Sequence, residues 1–206
     1  MRLGLLGPSE GNIEALARGA EYLLNVAKVE RAIYLGDDDS LESAVVNWAM
    51  RLVGHDPTDE GAWERAAELG LNGTPKEIDW FVRAQRARLR LRALESLPGG
   101  GSRTIEMIGD RVAILTYDKA LLDEEDIYAA NLLVYGKSDA PLIRRIGARW
   151  FVTPGPVTQP GGGLGIIDEL DGGIVATIYD LEGKARMTEP LTMTRGAKMS
   201  VQGSGA

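Results

Sequence analysis

The residues best able to do chemistry in this chain sit where apolar runs end. Leu132 to Tyr135 is one such run, and it stops at Gly136-Lys137-Ser138-Asp139-Ala140-Pro141. The run before Gly36 stops at Asp37-Asp38-Asp39, and Leu3 to Leu6 stops at Gly7-Pro8-Ser9-Glu10-Gly11-Asn12. Loops that close a strand with glycine and clustered charge are where α/β proteins place ligands and catalytic groups. The acid run could hold one Mg²⁺ or Ca²⁺ through oxygens alone. It reads equally as a solvated loop that caps the next helix. His55, just before Asp56-Pro57, is either a ligand or general acid, or a turn residue. The stretch Pro-Gly-Gly-Gly-Leu-Gly over 160–165 lacks the strand-to-helix setting of a phosphate cradle and reads as a turn between strands.

Composition narrows the chemistry further. The chain has 206 residues, 44% hydrophobic and 26% charged, which is ordinary globular composition and enough length for a sizeable core. There is no cysteine, so disulfides, thiolate zinc sites and a cysteine nucleophile are excluded. The single histidine leaves one candidate for any His-based arrangement. A net charge of −7 disfavours a general nucleic-acid or anionic-membrane binder, with room for a local basic patch. The opening apolar run is too short for a signal peptide and no segment could span a bilayer, so a cytoplasmic protein is expected.

The elements that must position the loops follow from periodicity. Ile13, Leu16, Ala17, Ala20, Leu23 and Leu24 mark one side of a helix over 13–26, and the strand that follows completes a predicted parallel βαβ unit. Ser40 can cap a helix to about Leu52, and a short helix is expected over 61–69. Thr74-Pro75-Lys76-Glu77 is a capping box with proline at the first helical position. It opens a helix expected to reach about Leu97, with Trp80, Ala84, Ala87, Leu91 and Leu94 as an apolar stripe. Trp80, Trp48 and Trp63 are all expected in the core. Strands then dominate: a hairpin turning at Gly109-Asp110, the run 132–135, and further strands within 149–155, 164–170, 174–183 and 184–193. The expected fold is α/β, a two-layer β-sandwich flanked by helices. A single domain covers 1–196, with a helical segment at about 40–97 and a flexible tail at 197–206.

The order of these pieces resembles the calcineurin-like metallophosphoesterases, especially their small bacterial phosphodiesterase branch. That resemblance implies a four-layer fold with a dinuclear metal site in loops at the strand ends. The family pattern is Asp-x-His-Gly-Asn after strand one, Gly-Asp after strand two and Gly-Asn-His-Asp after the next helix. Thr-His-Gly, Gly-His-x-His-x-Pro and Asn-Pro-Gly-Ser follow. Over roughly residues 1 to 185 this chain keeps the frame in Gly7 to Asn12, Tyr34 to Asp37, Gly136 to Pro141 and the stretch from Thr153. It departs at the ligands. Pro8 stands for the Asp and Glu10 for the His, with Asn12 kept; Asp37 survives; His55 falls near the third motif. Tyr117 stands for the next His, Lys137 and Asp139 for the paired His, and Pro156 for the Ser.

Two divalent metals need a bridging carboxylate and several neutral imidazoles. Proline cannot ligate and lysine repels a cation, so the implied dinuclear site is read as lost and no cofactor is expected. An ion pair from Lys137 to Asp37, Asp139 or Glu10 is expected in place of the metals. The leading reading is a catalytically inactive scaffold or regulatory subunit, as the retromer's small subunit is for this fold. The alternatives are a phosphoesterase rebuilt around one metal at Asp37, His55 and Asp139, and a small-ligand or nucleotide sensor using the old cleft. The expected partner is an unidentified protein rather than a nucleic acid, with a homo-oligomer possible. It is expected at Arg83, Arg86 and Arg90, which share one helix face. The arginines of that helix read equally as a solvated face balancing nearby acids.

Overall fold

Side chains alternate along the first strands, and the alternation decides the layers. On β1 (Arg2–Leu6) and β2 (Arg31–Tyr34), Leu3, Leu5 and Ile33 face one way and Leu6, Ala32 and Tyr34 the other. Both faces are apolar, so both must be covered. The strands pair in parallel, Leu3 opposite Arg31 through Leu6 opposite Tyr34. Between them runs α1 (Ile13–Glu21), continued by a wider π turn over Tyr22–Val26, as the βαβ pattern predicted. The structure, a computed structural model, describes residues 1–99, 103–170 and 173–192; the expected tail at 197–206 lies outside them.

The further strands are β3 (Leu94–Ser96), β4 (Arg103–Ile108), β5 (Arg111–Thr116), β6 (Leu132–Tyr135), β7 (Leu142–Ile146), β8 (Arg149–Thr153), β9 (Leu164–Leu170), β10 (Gly173–Tyr179) and β11 (Ala185–Pro190). They form two sheets, ordered β11-β10-β9-β1-β2-β3 and β4-β5-β6-β8-β7. The sheets bury Leu3, Leu5, Ile33, Leu35, Leu115, Val134, Val152 and Ile167 against each other. On the far side of the six-stranded sheet lies a second core containing Leu16, Leu23, Tyr34, Leu41 and Leu91. The expected α/β sandwich with flanking helices is the observed fold. Arg31 ties its layers at one edge, with Nη2 at 2.6 Å from Glu95 on β3 and 3.2 Å from Glu106 on β4.

The helices α2 (Ser40–Val53), α3 (Asp59–Asn72) and α4 (Pro75–Arg90) fill the connection from β2 to β3, and α5 (Glu124–Ala129) precedes β6. The capping box at Thr74 and Glu77 forms as predicted. Other expectations are corrected. Helix α4 ends at Arg90 rather than Leu97, because Leu94 to Ser96 pair with Ala32 to Tyr34 as a third parallel strand. Sheet completion here overrides helical periodicity. Ser40 is the first residue of α2, and Asp38 accepts its backbone N–H at 3.0 Å. Of the three tryptophans, only Trp48 packs against the core. Trp80 is 57% exposed and Trp63 77% exposed, because α3 buries only Gly61 and α4 only Ala84. The hairpin of α3 and α4 stands proud of the sandwich. Strand β7 and helix α5 had no counterpart in the sequence reading.

Candidate functional site

Strands β1, β2 and β3 run parallel, as do β5, β6 and β8, and the loops leaving their carboxyl ends meet on one edge of the sandwich. Two glycines make the meeting possible. A Cβ on Gly136, after β6, would lie 1.8 Å from the Leu35 carbonyl oxygen after β2. A Cβ on Gly7, after β1, would lie 1.8 Å from the Gly155 carbonyl oxygen after β8. Backbone replaces side chain at both places, and no other residue fits.

Hydroxyls and one carboxylate tie the first two loops together. The Tyr34 side chain is fully buried. Its oxygen accepts the Ser9 backbone N–H at 3.0 Å and its proton goes to Asp38 Oδ1 at 2.9 Å. Asp38 also accepts the Ser40 N–H at 3.0 Å and the Ser9 hydroxyl at 3.4 Å. The Ser9 and Ser40 hydroxyls lie 2.9 Å apart, and Ser9 Oγ accepts the Gly11 N–H at 3.1 Å. Burial, against the opposing hydrogen bond from Ser9, pushes the Tyr34 phenol up to about 12. Burial pushes Asp38 up as well, but the hydrogen bonds from Ser40, Tyr34 and Ser9 outweigh it and hold the carboxyl below its usual range.

The residues expected to share a site are only partly brought together. Pro8 is buried, and its carbonyl accepts the Val157 N–H at 2.9 Å. Glu10, in the left-handed region at φ 49, takes a hydrogen bond from the Thr158 hydroxyl. Asn12 caps α1, its Oδ1 accepting from Ala15 N at 3.0 Å. Asp37 and Tyr117 face each other across a cleft of about 340 Å³, whose wall includes Asp38, Glu42, Ser96 and Leu97. Burial first, and Asp37 next, push the Tyr117 phenol up. Asp139 is exposed, with no hydrogen bond or ion pair among the described residues. His55 lies elsewhere, in a depression with Arg65, Leu69, Trp80 and Phe81 between α2, α3 and α4. The third position of the cleft is instead filled by the end of β3, Ser96-Leu97-Pro98.

The expected partner of Lys137 is corrected. Its ammonium lies 2.5 Å from Asp118 Oδ2, not beside Asp37, Asp139 or Glu10. Asp118 directly follows the cleft residue Tyr117, and β5 and β6 are neighbours, so their end loops hold the pair in register. The hydrogen bond to Asp118 raises Lys137, and the same bond lowers Asp118. Tyr34, Ser9 and Asp118 were not foreseen as partners. The one sequence signal was a tyrosine closing an apolar strand immediately before Leu-Gly-Asp.

This donor set does not fit a dinuclear centre. Its candidates are a proline, a glutamate bonded to Thr158, an asparagine committed to a helix cap, a tyrosine and a lysine paired with acid. Among the described residues, Asp37 is the one carboxylate at a ligand position that lines the cleft without a hydrogen bond or ion pair. Among the described residues, no group of three His, Cys, Asp or Glu side chains could hold a metal ion. Asp37, His55 and Asp139 are not gathered around a common point either.

The architecture matches solved structures. A predicted phosphoesterase from Streptococcus pneumoniae superposes with a TM-score of 0.50 at 13% identity, covering 92% of this chain and 97% of its own. The phosphoesterase YfcE from E. coli gives 0.50 at 16% identity, covering 93% of this chain and 100% of its own. Vacuolar protein sorting 29 from Cryptosporidium parvum gives 0.51 at 12%, covering 92% and 96%. The chain has the calcineurin-like metallophosphoesterase fold. At these identities the likeness is one of architecture. No protein-family model matches the sequence, and no curated protein does. No helix among the described residues is long and apolar enough to cross a membrane.

Proposed function

We propose that this chain is a non-catalytic protein of the metallophosphoesterase fold that works by binding a protein partner. The observation that carries the reading is the filling of the old metal edge. Where the fold would place ligands stand Pro8, the Tyr34–Ser9–Asp38–Ser40 network and the Lys137–Asp118 pair. Among the described residues no imidazole lines the cleft, and the positions that would carry metal ligands hold a proline, a tyrosine and a lysine paired with acid, a donor set that supports no activation of a phosphodiester. The cleft itself favours no nucleotide. Asp37, Asp38, Asp39 and Glu42 line it, and without divalent ions they repel phosphate. The vacuolar sorting protein among the structural neighbours supports a role for the fold outside catalysis, and the projecting α3–α4 hairpin offers a surface for it.

The test is elemental analysis together with a bis-p-nitrophenyl phosphate assay in Mn²⁺. The expected result is well under one Mn, Fe, Ni or Zn per chain and no hydrolysis above background. Two metals per chain, or turnover that a chelator abolishes, would overturn the reading.

A further inference from the structure

The helical segment holds a groove of about 410 Å³ between the π turn after α1, α2 and α4. Leu24, Trp48, Leu52 and Leu91 supply its apolar wall, and Arg86, Arg90 and Glu21 its charges. The arginines differ in what they are free to do. Arg90 is anchored, donating from Nη2 to the Leu24 carbonyl. Arg86, about one turn earlier, is exposed and has no hydrogen bond or ion pair among the described residues. Arg83, further along the same face, is exposed and paired with Asp79. The groove thus places two guanidiniums against one carboxylate on a chain whose net charge is −7.

We infer that this groove docks an acidic, amphipathic segment of a partner protein, with an apolar side chain beside Trp48 and Leu52 and carboxylates on Arg86 and Arg90. The inference rests on the protein-binding reading above and names the chemistry of its partner. An aromatic wall beside arginine is the pairing that concentrates energy at protein interfaces. A guanidinium meets a carboxylate through two parallel hydrogen bonds, which fixes the segment's orientation as well as its charge. Anchoring of Arg90 by Leu24 lowers the ordering cost of one of the two contacts. A nucleic acid is a poorer fit. Phosphate binding needs a long row of cations, and here Glu21 and Asp79 interrupt a row of three.

The experiment is selection from a random peptide display library on the immobilised full chain, followed by titration of the enriched peptides. The expected winners are acidic and amphipathic, and they bind Arg86→Glu at least about tenfold more weakly, the scale of one lost charge-assisted contact. Arg86→Gln, which adds no new charge, should weaken them in the same direction and keeps the test open if the reversal does not fold. Enrichment of basic peptides, enrichment indifferent to both Arg86 variants, or no enrichment would overturn the inference. So would binding of duplex DNA or phosphatidylserine vesicles through Arg86 in place of peptide. The two readings fail separately. Metal-dependent hydrolysis ends the proposed function, whereas peptide binding that ignores Arg86 ends this inference alone.

Discussion

Replacing Tyr34 with phenylalanine removes one oxygen from the centre of the old metal edge and leaves the ring in place. Two hydrogen bonds disappear, from Ser9 N at 3.0 Å and to Asp38 Oδ1 at 2.9 Å. Ser9 is fully buried, so its N–H is left without an acceptor, at a cost of about 1–3 kcal/mol. Asp38 is exposed and keeps the Ser40 N–H, so water replaces most of what it loses, at about 1 kcal/mol. Tyr34→Phe should therefore destabilise the chain by about 2–4 kcal/mol. Urea unfolding measures this as a lower midpoint with an unchanged slope. Tyr128→Phe, at 84% exposure, should leave the midpoint where it is. If the two variants unfold together, the network holds nothing and the account of the metal-free edge is wrong. Absorbance titration gives an independent check. The folded phenol is raised to about 12 from the usual 10.0, so its contribution is complete below pH 10 and is lost as pH rises toward 12. A Tyr34 that ionises with the exposed tyrosines would refute the burial argument.

Three further outcomes are expected. Gly136→Ala should fail to fold or lose several kcal/mol, because the new methyl overlaps the Leu35 carbonyl; soluble protein with a wild-type melting temperature would contradict the packing. Lys137→Ala should leave the melting temperature nearly unchanged, since the ion pair to Asp118 is solvent-screened, and a large drop would restore it as a structural staple. Asp38 and Asp180 have folded values below the usual 3.8: in each, burial acts upward but hydrogen bonds prevail, from Ser40 and Tyr34 for one and from Lys184 N and Arg186 for the other. Their stabilisation should be complete above about pH 3.8 and fade as pH falls below it, and a midpoint that is flat through that range would contradict both networks.

The sandwich was legible because its signals are local. Alternation in β1 and β2, the capping box at Thr74 and the Gly109-Asp110 turn each depend on a few adjacent residues. Legibility ended where a choice depended on a distant neighbour. Leu94 continues the helical period of α4, yet becomes a strand because Ala32 offers it an edge. Trp80 keeps the same period, yet stays 57% exposed because it only lines a shallow depression beside α2 and α3, neither of which covers it. Lys137 was expected beside Asp37, Asp139 or Glu10, but the register of β5 beside β6 supplies Asp118, which no motif marks. His55 was drawn toward the cleft by its sequence neighbours, while the fold gave that place to Leu97 and Pro98.

The connection between β2 and β3 also bears on how this surface could change. All three helices α2, α3 and α4 lie between two strands that pair directly with each other. The entropy of closing such a connection depends only logarithmically on its length, so doubling or halving it alters stability by about 0.6 kcal/mol. As far as loop closure goes, the sandwich is thus nearly indifferent to how much chain extends beyond the residues that α2 and Leu91 bury in its second core. Insertions, deletions or exchange of the α3–α4 hairpin would remodel what the molecule touches at little thermodynamic cost to the frame. A lineage carrying this fold can diversify its contacts at the α3–α4 hairpin while the glycine-closed loops after β1, β2, β6 and β8 stay fixed.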